Sequence, residues 1–380
     1  MSEHDTENAF RNYRNTKHFG SLDGLRCICI SLVLWHHAPN IFSQNVEVPM
    51  VLTRGFTGVD FFFVLSGYLI TTLLLREEDR YGRFSIVEFY RRRLLRIVPI
   101  YFLVVTLTAI WWIGVRGQTE WLAYLPYYYL FLANFLVGDI PLLAPMWSLS
   151  VEEQYYVLWP ALLLLLPILR WRIAVVVPAI ALIYAADAAL LPRMTLARTE
   201  NFHAAIPVVG YGAILIGSLA AILLHTHTGF GLLWRLLGNR WTSAGLFILL
   251  VIAWQVMPGD LRGWPNFVMH WIMACIVVSL VIREDHVLKV ALQWRPIARI
   301  GAISYGIYLW HLYGLHIGNE MAFALGLEKL AAARAAFPIY LVSSVIIAEI
   351  SYRYFESYFL ALKKRSRVDA GRIPPLSGSG

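Results

Sequence analysis

The chain has 380 residues, of which 58% are hydrophobic, 14% aromatic and only 15% charged. Soluble domains run about 45–50% apolar and about 25% charged. So much apolar surface excludes a soluble globular domain, a disordered chain and a secreted disulfide scaffold, and it selects an all-α, polytopic membrane protein. The net charge of +8, from 32 Lys+Arg against 24 Asp+Glu, fits basic cytoplasmic loops. No soluble basic patch interleaved with stacking aromatics accompanies it, so nucleic acid is not an expected partner. Cys27, Cys29 and Cys275 all fall in apolar runs. That odd set suits neither a disulfide framework nor a zinc site, and no metal is expected.

In chain order, residues 1–20 are polar and do not read as a cleavable signal peptide. About ten transmembrane helices are expected, over 23–42, 55–75, 97–115, 148–168, 173–191, 204–224, 242–257, 265–282, 300–317 and 336–360. The aromatic stretch 121–137 is short and holds Pro126, so it reads as interfacial or re-entrant. The tail 363–380 is basic and rich in Pro, Gly and Ser, and reads as disordered. Placing both termini in the cytoplasm gives 23 Lys+Arg to the cytoplasmic segments and 7 to the external ones, a bias that favours this orientation.

Charge inside a bilayer is costly, so ionisable residues within spans mark cavities and sites. In the first span Arg26 and His37 are 11 residues apart. At 100° per residue they return to nearly one face, about 16 Å apart along the axis. They cannot touch, yet they can line one pore, Arg26 near the cytoplasmic mouth and His37 in the outer half. His36 points roughly 80° away by the same arithmetic. Asp60 opens the second span at a depth like that of His37. A carboxylate there could orient an imidazole and stabilise its cation; a helix-locking salt bridge is the plainer use. Ser148, Ser150, Glu152 and Glu153 open the fourth span, where a cap and a favourable helix-dipole contact are the plain readings. His311 lies near the outer end of the ninth span, among aromatic residues. The cytoplasmic run Arg91-Arg92-Arg93, with Arg96 one turn on, could anchor the chain by charge or clamp phosphates, a task that suits the guanidinium fork.

Five segments taken together, LDGLRCICISLVLWHH, GVDFFFVLSGYLIT, FYRRRLLRIVP, MWSLSVEEQYYVLWP and ISYGIYLWH, resemble the acyltransferase-3 family of integral membrane O-acyltransferases, in the family's order. The family's arginine, ten residues, then histidine falls on Arg26 and His37. The resemblance implies transfer of an acyl group, usually acetyl from acetyl-CoA, to a hydroxyl. Family acceptors are mostly carbohydrates, such as lipopolysaccharide, exopolysaccharide, lipo-oligosaccharide or peptidoglycan; some members acylate macrolides. By motif match it implies importance for His37, Asp60, Glu152, His311, Arg26, Ser66, Arg92, Arg93 and Arg96. The small residues usual after the Leu-Arg are here Cys27-Ile28-Cys29, a departure that bears on close helix packing.

The expected organisation is a polar cytoplasmic segment 1–20, a membrane acyltransferase domain 21–362 and the basic tail, in a bacterial inner membrane. The chain ends soon after its last expected span and leaves no room for the esterase-like domain that some relatives carry. In the expected mechanism the arginines and Arg26 hold the phosphates of acyl-CoA, and the thioester reaches up a pore to His37. His37 then acts as general base on the carbohydrate or glycolipid hydroxyl, oriented by Asp60 or Glu152. An acyl-histidine intermediate is the other route. The competing class is a transporter or flippase, whose proton relays use the same residue types. No Gly-x-Ser-x-Gly elbow, Walker loop or His-Glu-x-x-His is present, and no histidine is assigned the His-x4-Asp role of many soluble acyltransferases.

Overall fold

The computed structural model describes residues 3–42 and 46–362, and the protein is 76% helical. Helices α1 (Glu3–Asn15), α2 (Ser21–His36), α3 (Met50–Thr53), α4 (Thr57–Tyr81), α5 (Ile86–Ala109), α6 (Leu125–Tyr129), α7 (Met146–Leu165) and α8 (Leu169–Asp187) come first. A hairpin of β1 (Met194–Arg198) and β2 (His203–Ile206) follows. The chain continues through α9 (Val209–His225), α10 (His227–Leu237), α11 (Thr242–Val256), α12 (Trp264–Ile282), α13 (Lys289–Leu292), α14 (Arg295–Ala302), α15 (Ser304–Ala324) and α16 (Lys329–Ser351). Among the described residues, five helices are long and apolar enough to cross a membrane: Thr57–Tyr81, Ile86–Val115, Leu169–Asp187, Trp264–Ile282 and Lys329–Leu362. A sixth is counted if α9 and α10, bent by 109° at their junction, form one span. The fold is that of a multi-pass membrane protein.

Each of the ten apolar segments singled out in the sequence carries a helix, but several ends move for local reasons. α2 stops at His36 rather than 42, because Pro39 disfavours helical backbone at the residue before it. The ninth segment breaks at Ile303 into α14 and α15. The sixth begins as strand β2, and α9 starts only after Pro207. The hairpin is a small addition to the all-α expectation. The stretch 121–137 is divided among 3-10 turns and the five-residue α6 with Pro126 at its start. The expected disordered tail, 363–380, lies outside the described residues.

Burial sorts the helices into layers. In α4 and α12 67% of the apolar window is buried, against 17% in α16. α16 accordingly turns Val342, Ile346 and Ile350, four residues apart, outward as an apolar stripe. Close helix crossings carry the centre. A Cβ at Gly67 of α4 would sit 1.9 Å from the Ile214 carbonyl oxygen of α9, and one at Gly217 of α9 would sit 2.1 Å from the Val64 oxygen of α4. The two bare backbones therefore touch, which fixes Ser66 next door.

Candidate active site

Helices α2, α4, α5, α7 and α15 enclose a cavity of about 380 Å³. Its charged lining is His18, Arg26, Arg93, Arg96 and Glu152; Ser66, Ser148, Tyr156, Tyr305 and Tyr308 add hydroxyls, and Phe62, Phe63, Leu65 and Leu69 are among the apolar walls. Arg93 and Arg96 lie on α5, a helix started by a Ser85 side chain that accepts from the Glu88 amide. Their spacing of three puts both on one face. The Arg93 guanidinium lies 5.4 Å from the Tyr156 ring centre and 5.9 Å from that of Phe89. Neither Arg93 nor Arg96 has a carboxylate within 4.0 Å among the described residues. Their neighbours in the run differ: Arg92 is paired with Glu77 at 2.7 Å and Arg91 with Glu88 at 3.6 Å. Arg92 is absent from the cavity lining. The helix turn thus divides the arginine run into an anchored half and a cavity-facing half.

Beside Arg93, Tyr156 donates to Ser66 Oγ (3.1 Å), and Ser66 donates to Glu152 Oε1 (2.6 Å). This hydroxyl chain ties α4 to α7 and holds the Glu152 carboxylate in the cavity. Toward α15 the wall is Tyr308, whose hydroxyl donates to the Pro145 carbonyl (3.0 Å) and meets the Ser148 hydroxyl at 2.6 Å.

His37 lies one residue beyond the last turn of α2. With the proton on Nδ1 it donates to the Val33 carbonyl at 3.0 Å, which leaves Nε2 as the basic nitrogen. His311, fully buried on α15, repeats the arrangement, its Nδ1 on the Tyr308 carbonyl at 2.7 Å. The two imidazoles meet edge to face, 4.8 Å between centres, and His36 also meets His37 edge to face, at 4.9 Å. His311 Nε2 is buried with no hydrogen-bond partner among the described residues. Sequence spacing could not show this pairing of His37 with His311.

Two expected arrangements are corrected by these contacts. Neither Asp60 nor Glu152 forms a hydrogen bond or ion pair with His37. Glu152 is engaged by Ser66, and Asp60 faces His270 of α12, Oδ2 to Nε2 3.6 Å. His270 Nδ1 in turn meets the Tyr184 hydroxyl of α8 at 2.5 Å. The side chain of Asp60 leaves α4 on the face toward α8 and α12, so the Val33 carbonyl takes the orienting place at His37. Arg26 lines the cavity, whereas His37, His311 and Asp60 are not among its lining residues. Tyr308 closes the cavity on the α15 side, and His311 lies one turn farther along the same helix.

Sequence reasoning passed over Tyr156, Tyr308 and His270, for which a single chain carries no local signal. It also took no histidine to begin a His-x4-Asp, a reading corrected by His18-Phe19-Gly20-Ser21-Leu22-Asp23, which has that spacing. In the fold His18 Nε2 is 3.1 Å from Asp23 Oδ2, while Asp23 Oδ1 holds Arg26 at 2.5 Å.

The family model described as "Acyltransferase domain" matches residues 19–353. A Bacillus subtilis protein provisionally named as a peptidoglycan O-acetyltransferase, YrhL, is 28% identical over 392 residues, covering 90% of this chain and 56% of that protein. The peptidoglycan O-acetyltransferase OatA of Listeria monocytogenes is 26% identical over 370 residues, covering 90% and 56%. A provisionally named Staphylococcus aureus O-acetyltransferase is 26% identical over 382 residues, covering 92% and 58%. The chain therefore spans a little over half the length of these relatives. No solved structure matches it.

Proposed function

We propose, from the premise that this chain belongs to the acyltransferase-3 family, that it is a membrane O-acyltransferase moving an acyl group, acetyl in the first instance, from acyl-CoA to a carbohydrate hydroxyl. The observation that carries the reading is the pair of guanidinium groups on Arg93 and Arg96, set in a largely apolar cavity and, among the described residues, with no carboxylate within 4.0 Å of either. Fixed cations in such a place call for an anion, and the phosphates of CoA have the matching geometry. Arg26 adds a third guanidinium on the facing wall. With about ten spans and both termini cytoplasmic, this mouth opens toward the cytoplasm of a bacterial inner membrane.

The long pantetheine arm carries the thioester through the cavity and past the Tyr308–Ser148 contact to the two histidines. There His37 Nε2 takes the proton of the acceptor hydroxyl as its oxygen attacks the thioester carbon. The C–S bond breaks, the imidazolium returns the proton to the departing sulfur, and CoA leaves as the thiol. His311 holds the His37 ring by its edge-to-face contact, and the backbone keeps Nδ1 protonated on both rings. The Ser66–Glu152 bond shapes the wall along which the arm lies. A carbohydrate acceptor accords with the relatives named for peptidoglycan; a glycolipid intermediate offers the same hydroxyl chemistry.

The test is membranes carrying the protein, incubated with acetyl-labelled acetyl-CoA. Label appearing in cell-envelope carbohydrate as a base-labile ester is expected, with stoichiometric release of CoA. Acetyl-CoA that is never consumed would contradict the reading and favour a transporter.

A further inference from the structure

The family match begins at residue 19, yet the cavity lining begins at His18. The segment ahead of the match is firmly placed. Arg76 of α4 donates to the carbonyls of Tyr13 (2.8 Å) and Thr16 (2.5 Å), and Arg14 pairs with Asp79 at 2.5 Å. Tyr13 and Phe10 of α1 pack on Phe230 of α10, with ring centres 5.5 and 5.1 Å apart. The chain leaves this clamp at Thr16 and delivers His18 to the cavity two residues later.

Asp23 fixes the arrangement on the other side. Its two oxygens hold His18 and Arg26 separately, and α14 pins its backbone: a Cβ at Gly301 would sit 1.8 Å from the Asp23 carbonyl oxygen. One carboxylate thus aims an imidazole and a guanidinium at the same opening. The His18 side chain remains 71% exposed, so it sits at the mouth rather than in the depth of the cavity. A group at the mouth meets the nucleotide end of a long donor, not its thioester.

We propose that His18, held by Asp23 and delivered by the α1 segment, is a binding residue for the phosphorylated nucleotide end of the acyl-CoA donor, completing a site whose other cations are Arg26, Arg93 and Arg96. This rests on the donor reading above. With one ring nitrogen on Asp23, the other nitrogen donates to a phosphate oxygen.

The experiment is equilibrium binding to the purified full chain in lipid nanodiscs, with CoA and pantetheine as separate probes. His18→Ala is expected to weaken CoA binding about tenfold, the loss of one charge-assisted hydrogen bond. It should leave pantetheine binding unchanged. His18→Lys, which keeps a cation at the mouth, is expected to restore most of the CoA affinity. Unchanged CoA binding by His18→Ala would overturn the role of His18 alone, and so would an equal loss for pantetheine. Absence of CoA binding by the unaltered protein would overturn the donor reading and this inference with it.

Discussion

A histidine that serves as a base needs one nitrogen held protonated so that the other stays free. In soluble hydrolases a buried carboxylate does this; at His37, the proposed base, the carbonyl of Val33, one turn back on the same helix, stands against Nδ1 instead. The arrangement puts no second charge into the membrane interior, where each costs about 2.5–3.5 kcal/mol on insertion scales. Asp60 is thereby released to a different task, facing His270, which contacts Tyr184. These three residues join α4, α12 and α8. If the contact acts as a unit, Asp60→Asn and His270→Gln are each expected to lower thermal stability in detergent, and the double variant is expected to cost little more than either single one. Additive losses in a thermal-shift series would show that the two residues act separately. At this scale the sequence disclosed the residue types and not their partners. Arg26, Arg93 and Arg96 line the cavity, whereas Arg92 of the same run pairs with Glu77 and does not. The Asp60–His270 and His37–His311 contacts depend on which helices become neighbours, and one chain's periodicity does not encode that. His18 is different, since its spacing to Asp23 was in plain sight.

Among elements, the α4–α9 crossing governs the cavity. Gly67 and Gly217 let the two backbones meet, and Ser66, the residue beside Gly67, hands its hydrogen bond to Glu152 on α7. A methyl at either glycine meets backbone rather than a movable side chain. Gly67→Ala and Gly217→Ala are therefore expected to force the helices apart, at a cost of about 1–3 kcal/mol from overpacking, and to lower CoA affinity through the displaced Ser66–Glu152 wall. Folded protein with CoA affinity equal to that of the unaltered chain would contradict this. Helix existence was legible from apolar runs because the bilayer demands them. Helix ends were less so: Pro39 shortened α2, Ile303 separated α14 from α15, and the β1–β2 hairpin preceded α9. Those boundaries rest on single residues and tertiary contacts that a 20-residue hydropathy pattern averages away.

Across the whole molecule, the arginine-lined mouth and the histidine pair lie toward opposite ends of α2. Eleven residues of helix separate Arg26 from His37, about 16 Å, and Tyr308 with Ser148 stands between the cavity and the histidines. The arrangement suits a donor taken from one side and an acceptor met on the other. Orientation follows by experiment: single cysteines at Arg83 and Glu120, in a background with Cys27, Cys29 and Cys275 replaced by Ala, are to be treated with an impermeant maleimide. Arg83→Cys is expected to react only after the membrane is opened, and Glu120→Cys in intact cells stripped of their wall; the reverse pattern would invert the topology. The most direct test of His37 as the base is acetyl transfer by His37→Ala protein in membranes, alongside its CoA affinity. A loss of about 10²–10⁴-fold in transfer with membrane abundance and CoA binding unchanged is expected, whereas transfer at the rate of the unaltered protein would contradict that role.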